Sequence, residues 1–462
     1  MTPNIVIMAA GKGTRMKSAL PKVLHKLAGR ALLDHVLAAT APLHAARRIV
    51  ITGHGAEQVE TACADAALSF VRQMPQLGTG HAVQMAVPAL LEDAATTLIL
   101  NGDVPLIETA TAARLVDACA GRRLVLLTIE LADPSGYGRI LRDPARPESV
   151  LGIKEHKDAS PAQREIREGY TGMMAAPTGL LKKWVGQLDN KNAQGEYYLT
   201  DIVAMAVAEG VEVVGIQAPD ETEVLGVNSP SQLADLERRF QRRQAEALMV
   251  DAGVRLADPA RFDLRGTLHC GSDVEIDVGC VFEGEVHLAD GVRVGAYCVI
   301  RNARIEAGAR IHEFTHVDGE KAGVRVGAGA LIGPFARLRP GADLGPEVHI
   351  GNFVEVKNST LAAGAKANHL AYLGDAAVGA RVNYGAGSIT ANYDGANKHR
   401  TTIGADVHVG SNCVLVAPVT LGDGATIGGG STITKDVAPG ELAVARGKQV
   451  GIKGWTRPRK KA

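Results

Sequence analysis

Near the N-terminus an aliphatic run, Ile5 to Met8, passes into Ala9-Ala10-Gly11-Lys12-Gly13-Thr14-Arg15-Met16, with Pro21-Lys22 following. A glycine-rich turn lets backbone N–H groups approach a phosphate or a base without Cβ interference, and Lys12, Arg15 and Lys22 can neutralise phosphate oxygens. The turn is not a dinucleotide fingerprint, which wants Gly where Met16 stands, nor a P-loop, which wants Ser or Thr where Gly13 stands. Farther on, Asp103 follows a second aliphatic run, Thr97 to Leu100. A carboxylate at the end of a strand can hold Mg²⁺ against phosphate oxygens. The chemistry these residue types serve is nucleotide handling.

The elements that must position them alternate. Strand-like runs at Ile5 to Met8, Arg48 to Thr52, Leu68 to Arg72, Thr97 to Leu100 and Leu124 to Ile129 are separated by helical patterns at Ala31 to Thr40, Ala56 to Ala64, Thr79 to Leu91 and Thr109 to Ala118. The alternation predicts an α/β domain over residues 1–228 with a parallel sheet, whose ligands bind at the carboxyl ends of the strands. Ser229 then offers an N-cap and Pro230 a first helical position, with Leu233, Leu236 and Phe240 on one face. We expect a linker helix over residues 229–250, its Arg238-Arg239 and Arg242-Arg243 pairs forming a solvated face beside Glu237 and Glu246.

From 251 to 462 the pattern changes. Val326, Ile332, Leu338, Leu344, Ile350 and Val356 fall on every sixth position, and the beat returns at Ile403, Val409, Leu415, Leu421, Ile427 and Ile433. Six fits neither a helix nor a two-sided strand but suits a coil of three short strands per turn, each sending one aliphatic side chain inward, so this half reads as a parallel β-helix. The beat fails in places. From Val356 to Leu361 and from Leu373 to Val378 the step is five, bracketing Asn368-His369-Leu370-Ala371-Tyr372, and the polar excursion Asn392 to Arg400 projects before Ile403. Cys413 has no activating neighbour and reads as packing. The terminal Trp455-Thr-Arg-Pro-Arg-Lys-Lys reads as a solvated tail.

Lys+Arg and Asp+Glu both number 50 in 462 residues, which gives no global charge for nucleic acid or an anionic membrane. The six cysteines include no C-x-x-C pair and read as free thiols. No run approaches the roughly eighteen apolar residues of a membrane span, and Ile5 to Ala10 is too short for a signal-peptide core, so the expectation is a cytoplasmic protein.

The string A-A-G-K-G-T-R-M followed by P-K resembles the signature of sugar-1-phosphate nucleotidyltransferases. In order after it come Gln73 with Gln76-Leu77-Gly78-Thr79-Gly80-His81-Ala82, Asn101-Gly102-Asp103-Val104-Pro105-Leu106, Gly136-Tyr137-Gly138-Arg139, Glu155-His156-Lys157-Asp158 and Gly226-Val227-Asn228, each similar to a later motif of that family. The resemblance implies that Met8, Ala9, Ala10, Gly11, Lys22, Gln73, Gly78, Thr79, Asn101, Gly102, Asp103, Gly138, Glu155 and Asn228 bind the nucleotide sugar. Within that set Asp103 and Asn228 would hold Mg²⁺, Gln73, Gly78 and Thr79 would address uracil, and Gly138 and Glu155 the sugar. Arg15 and Lys22 would stabilise charge as the sugar phosphate attacks the α-phosphate. Two positions depart from the pattern: Tyr170 stands where Asn usually precedes Thr-Gly, and Asn101 where Tyr often precedes Gly-Asp.

In the second half, R-L-R-P-G (337–341), N-F-V-E-V-K (352–357), N-H-L-A-Y-L-G-D, N-Y-G-A-G and N-Y-D-G resemble the acetyltransferase half of the bacterial bifunctional N-acetylglucosamine-1-phosphate uridyltransferase/glucosamine-1-phosphate acetyltransferase family. That resemblance spans essentially the whole chain. It implies a left-handed β-helix of hexapeptide repeats after the Rossmann-like domain, with His369 as catalytic base. Arg339, Lys357, Tyr372 and Asn383 would bind glucosamine-1-phosphate, with a further contact from Asn392, and Ala386, Asn392, Tyr393, Ser411, Gly429 and Arg446 acetyl-CoA. It also implies a homotrimer, with acetyl-transfer sites built from neighbouring subunits. The expected function is acetylation of glucosamine-1-phosphate followed by uridylyl transfer from UTP to N-acetylglucosamine-1-phosphate. The alternatives are a single-function nucleotidyltransferase with a structural β-helix and a non-enzymatic sugar-nucleotide-binding scaffold.

Overall fold

The computed structural model describes residues 2–92, 94–192, 194–458 and 460; Arg459 and Lys461 of the basic tail lie outside the described residues. The chain divides into two compact units, Met1–Arg239 and Phe240–Ala462.

In the first unit a nine-stranded sheet runs in the order Leu68–Arg72, Arg47–Thr52, Asn4–Met8, Thr96–Asn101, Glu168–Pro177, Leu124–Glu130, Val213–Gln217, Arg146–Lys154, Gly138–Asp143. The first four strands are parallel, as expected from their alternation with helices. Ile5, Val6 and Ile7 are all fully buried, because the central strand Asn4–Met8 is covered on both faces. The sheet as a whole is mixed, which corrects the all-parallel expectation. Glu168–Pro177 runs antiparallel between Thr96–Asn101 and Leu124–Glu130. It follows the antiparallel hairpin Gly138–Asp143/Arg146–Lys154, so it enters the sheet without the long helical crossover that parallel pairing needs.

Four predicted helices appear as Leu32–Thr40, Ala56–Ala62, Thr79–Ala86 and Thr109–Cys119. The helix after Asn228 spans Pro230–Asp251, and Ser229 Oγ caps it by accepting the Gln232 N–H at 3.3 Å. Its cations form i,i+4 pairs, Arg239 with Asp235 at 2.9 Å and Arg242 with Glu246 at 2.6 Å, all four side chains well exposed. Arg239, Arg242 and Glu246 thus keep to the solvated face expected of this helix, whereas Glu237 is half-buried and accepts the Ala28 N–H at 2.7 Å.

The second unit is a stack of three-sided coils of parallel strands, gathered in an 11-stranded and a 16-stranded sheet. The hexad positions Val326, Ile332, Leu338, Leu344, Ile350 and Val356 are fully buried, and Ile433, the most open of the later set, is only 5% exposed. One aliphatic residue per short strand therefore builds a continuous core column, each worth about 1.5–3 kcal/mol of burial. Rings sit mostly outside it. Tyr297, Phe314, Phe335 and Phe353 stack along one corner with centroids 5.0–5.5 Å apart, each in the left-handed region at φ 56–58°.

Regular coils pair residues 18 apart, as Arg325 does with Asp343 at 2.6 Å. A five-residue step shortens the coil by one, and Asn352 then faces His369, 17 positions on. Among the described residues no helix is long and apolar enough to cross a membrane.

Candidate active sites

In the first unit the parallel strands end at one edge, and their loops form a cleft of about 400 Å³ lined by Met8, Ala9, Ala10, Gly11, Lys12, Lys22, Gln73, Gly78, Thr79, Asn101 and Asp103 among others. This gathers most of the residues the motifs single out. A second cleft of about 280 Å³ shares Asn101 and Asp103 and adds Arg15, Tyr137, Gly226 and Asn228. Gly102 N–H donates to Met8 O at 2.9 Å, and Val227 N–H donates to Asp103 O at 2.9 Å. These two backbone bonds bring loops from three parts of the chain to one point.

Lys22 stands at that point. Its ammonium touches the Asp103 carboxylate and donates to Asn228 Oδ1 at 3.1 Å. One carboxylate and one amide oxygen reachable from a single nitrogen form a hard-oxygen donor pair, which fits Mg²⁺ with water and phosphate completing its shell.

One wall of the larger cleft is built by backbone shape. Gly78 has φ +110°, and a Cβ there would come 2.6 Å from Tyr197 O. Thr79 Oγ1 accepts Leu199 N–H at 3.1 Å, and the buried Gln73 amide donates to Gly78 O at 2.9 Å. Gly13, at φ +59°, packs against the Lys22 stem, where a Cβ would lie 2.8 Å from Lys22 Cβ. Gly138 and Glu155 are brought together: a Cβ on Gly138 would be 3.7 Å from Glu155 Oε2. Burial raises the Glu155 carboxyl above its ordinary pKa, opposed by the Thr200 hydroxyl donating at 3.0 Å.

Tyr170, one of the two departures from the motif pattern, is the register partner of Gly138. Its hydroxyl is buried without a hydrogen-bond partner, and burial, with the nearby Glu155 charge, raises its pKa well above the usual phenol value. Asn101, the other departure, donates to Thr171 O at 3.4 Å.

In the second unit the predicted residues fall into two groups. Arg339 donates to Glu355 at 2.8 Å, Glu355 is the register partner of Tyr372, and Lys357 that of Gly374. Asn392 donates to the Asp375 carboxylate, which also accepts from Asn358 at 2.5 Å. Lys398, on the projecting loop, contacts Lys357 and lowers its pKa, helped by burial and by the Arg339 charge and opposed by Asp375. Lys398 was missed because only the excursion marked it, and its place beside Lys357 depends on the loop folding back. Tyr393, on the same loop, is exposed and donates to Gly395 O at 2.6 Å.

The second group follows a coil corner. His369 Nδ1 lies 2.8 Å from Asn352 Oδ1. An amide oxygen only accepts, so this pairing selects the ring tautomer with Nδ1 as donor and the Nε2 lone pair free. Along the same corner Gly387 N–H donates to His369 O at 3.4 Å, Asn412 N–H to Ala386 O at 2.8 Å, Gly430 N–H to Ser411 O at 2.8 Å, and Arg446 to Gly429 O at 2.6 Å. Asn352 was legible only as part of a quoted motif. Asn383 stands on the strand beside Lys366–His369, the strand that ends in His369, but faces Lys366 and His408 and lies 3.0 Å from His408 Nδ1. Among the described residues no side-chain hydrogen bond or ion pair links the two groups.

The cysteines are free, and burial pushes Cys63 and Cys298 up to about 12 and Cys270 and Cys280 to about 11. Cys413 is buried with Sγ 3.4 Å from Gly428 O, as expected of a packing residue.

Residues 5–143 match the MobA-like NTP transferase domain, and residues 400–435 match the bacterial transferase hexapeptide (six repeats). The chain is 76% identical over 463 residues to the bifunctional protein GlmU of Methylibium petroleiphilum, covering 99% of both chains. It is 66% identical over 474 residues to that of an Acidovorax species and 58% identical over 458 residues to that of Aromatoleum aromaticum, with 99% of each chain covered in both cases. With a nucleotide-type cleft in one unit, a hexapeptide β-helix in the other and this identity along its whole length, the chain belongs to the family of bifunctional GlmU proteins.

Proposed function

We propose that the two units carry the two halves of UDP-N-acetylglucosamine synthesis. The protein is a bifunctional enzyme: it transfers acetyl from acetyl-CoA to glucosamine-1-phosphate and uridylyl from UTP to N-acetylglucosamine-1-phosphate, releasing pyrophosphate for a product used in cell-wall synthesis. The observation that carries the residue-level reading is the meeting of Lys22, Asp103 and Asn228 at the strand ends.

For uridylyl transfer, Gln73, Gly78 and Thr79 receive the uracil, while Gly138 and Glu155 hold the sugar. Asp103 and Asn228 would hold Mg²⁺, which neutralises phosphate charge when bound. Arg15 and Lys22 stabilise the oxygens of the α-phosphate as the sugar phosphate attacks in line and pyrophosphate leaves; positioning and charge carry this reaction.

For acetyl transfer, Arg339, Lys357 and Lys398 receive the sugar phosphate, a dianion that three cations suit. His369 Nε2 takes the proton from the 2-amino group as its nitrogen attacks the thioester carbonyl, and the CoA thiolate leaves. Ala386, Ser411, Gly429 and Arg446 line the acetyl-CoA path, and Asn392 and Tyr393 of the projecting loop are its further contacts. The base and the phosphate cations sit in separate groups within one chain, which supports the reading of a homotrimer whose acetyl-transfer sites combine neighbouring subunits. The domain reading is 1–228 for uridylyl transfer, 229–250 as linker and 251–462 for acetyl transfer. UTP and acetyl-CoA as co-substrates support the cytoplasmic assignment.

The test is the pair of half-reactions on one preparation: free CoA thiol from acetyl-CoA with glucosamine-1-phosphate, and pyrophosphate from UTP with N-acetylglucosamine-1-phosphate and Mg²⁺. Absence of thiol release sinks the acetyl-transfer assignment, and absence of pyrophosphate sinks the uridylyl-transfer one.

A further inference from the structure

The first rungs of the β-helix carry a cluster that neither reaction uses. Strand Asp263–Cys270 is an edge strand, paired among the described residues with Val281–Leu288 alone. The register sets His269 opposite His287 on the next coil, and their rings stack with centroids 4.5 Å apart at 17°. Glu285 lies two residues before His287, on the same strand face, with its carboxylate 2.8 Å from His287 Nε2. One ligand atom from each of the three side chains lies within 4.8 Å of the other two.

We propose that His269, Glu285 and His287 form a binding site for a divalent transition metal such as Zn²⁺, Ni²⁺ or Cu²⁺. Two imidazoles and one carboxylate favour such borderline ions, whereas all-oxygen sites favour Mg²⁺ or Ca²⁺. Stacked rings on neighbouring strands turn the same edge outward, so two nitrogens converge on one point. Bonds of about 2.05 Å set a tetrahedral N-to-N edge of about 3.3 Å, reached here by small rotations of the exposed His269 ring and the half-buried His287 ring. Binding replaces the Glu285 to His287 hydrogen bond with two metal bonds. The column ends on the third rung, where Arg304 is the register partner of His287, which confines the site to the first two coils. An ion there would clasp the edge strand to the coil beside it.

The experiment is a Co²⁺ titration of the chelator-treated full chain in excess Mg²⁺, which masks the Asp103 region, followed by d–d absorption and equilibrium dialysis. The expected result is one equivalent with a nitrogen-ligated spectrum, retained by Asp103→Asn and weakened at least tenfold by His269→Ala or His287→Ala. Both half-reactions at wild-type rates in the histidine variants show that they remain folded. Glu285→Gln, which leaves both imidazoles in place, is expected to weaken binding as well. Equal Co²⁺ stoichiometry and affinity in wild type and both histidine variants would overturn the site and leave the stacked pair as packing alone.

Discussion

Lys22 and Asp103, 81 positions apart in sequence, are in direct contact through ammonium and carboxylate, and the same ammonium reaches Asn228 Oδ1 at 3.1 Å. This contact ties the segment after the glycine-rich turn, the end of strand Thr96–Asn101 and the start of the long helix into one charged centre. Both side chains are mostly buried, at 13% and 20% exposure, so the pair is shielded from the screening that weakens surface ion pairs.

Asp103→Ala is expected to lower pyrophosphate release by at least about 10²-fold, the scale seen when a preorganised electrostatic group is removed, while CoA release persists. Chelation of divalent cations should imitate it for pyrophosphate release. Assay of both half-reactions on the folded variant checks this, and loss of both would contradict two independent sites.

Replacing His369 with Ala should abolish thiol release and leave pyrophosphate release intact. Asn352→Ala should lower the acetyl-transfer kcat by about 10- to 100-fold with a small change in KM, because it frees the ring to take the wrong tautomer. Asn352→Asp, which still accepts from Nδ1, should recover most of the rate, an outcome that loss of packing would not produce.

Lys357 sets a pH dependence. Its ammonium pKa is lowered, chiefly by contact with Lys398, so its charge is lost earlier than an ordinary lysine's as pH rises. KM for glucosamine-1-phosphate should therefore climb on the alkaline side. Lys398→Met removes the main cause: the climb should move to higher pH, while KM at neutral pH increases about tenfold through loss of a phosphate contact. An alkaline limb that fails to move would refute the coupling.

Subunit mixing tests the shared site. His369→Ala and Lys357→Ala proteins, each inactive in acetyl transfer, should recover roughly a quarter of wild-type activity when unfolded together and reassembled, by random assortment over each interface. If one chain held the whole site, every site would carry one lesion and no activity would return.

Leu338→Ala in the core column should cost about 2–5 kcal/mol of stability, read by thermal or denaturant unfolding, since the site is fully buried in closely stacked coils.

The sequence by itself determined the β-helix, the parallel strands of the first unit and the motif positions around both sites. A hexad is a local property: each sixth residue faces inward whatever the neighbouring coil contains, so Val326 to Val356 were legible one after another. The five-residue steps were also legible as interruptions, but their consequence was not. Only stacking decides that a 17-residue coil sets Asn352 opposite His369, or that a projecting loop returns Lys398 to Lys357. In the first unit the glycine turn and Asp103 were recognisable by type and spacing, whereas the antiparallel entry of Glu168–Pro177 and the meeting of Lys22 with Asp103 and Asn228 were not. Those juxtapositions depend on strand order and loop closure across 81 and 206 residues, and such separations leave no periodic trace in the chain.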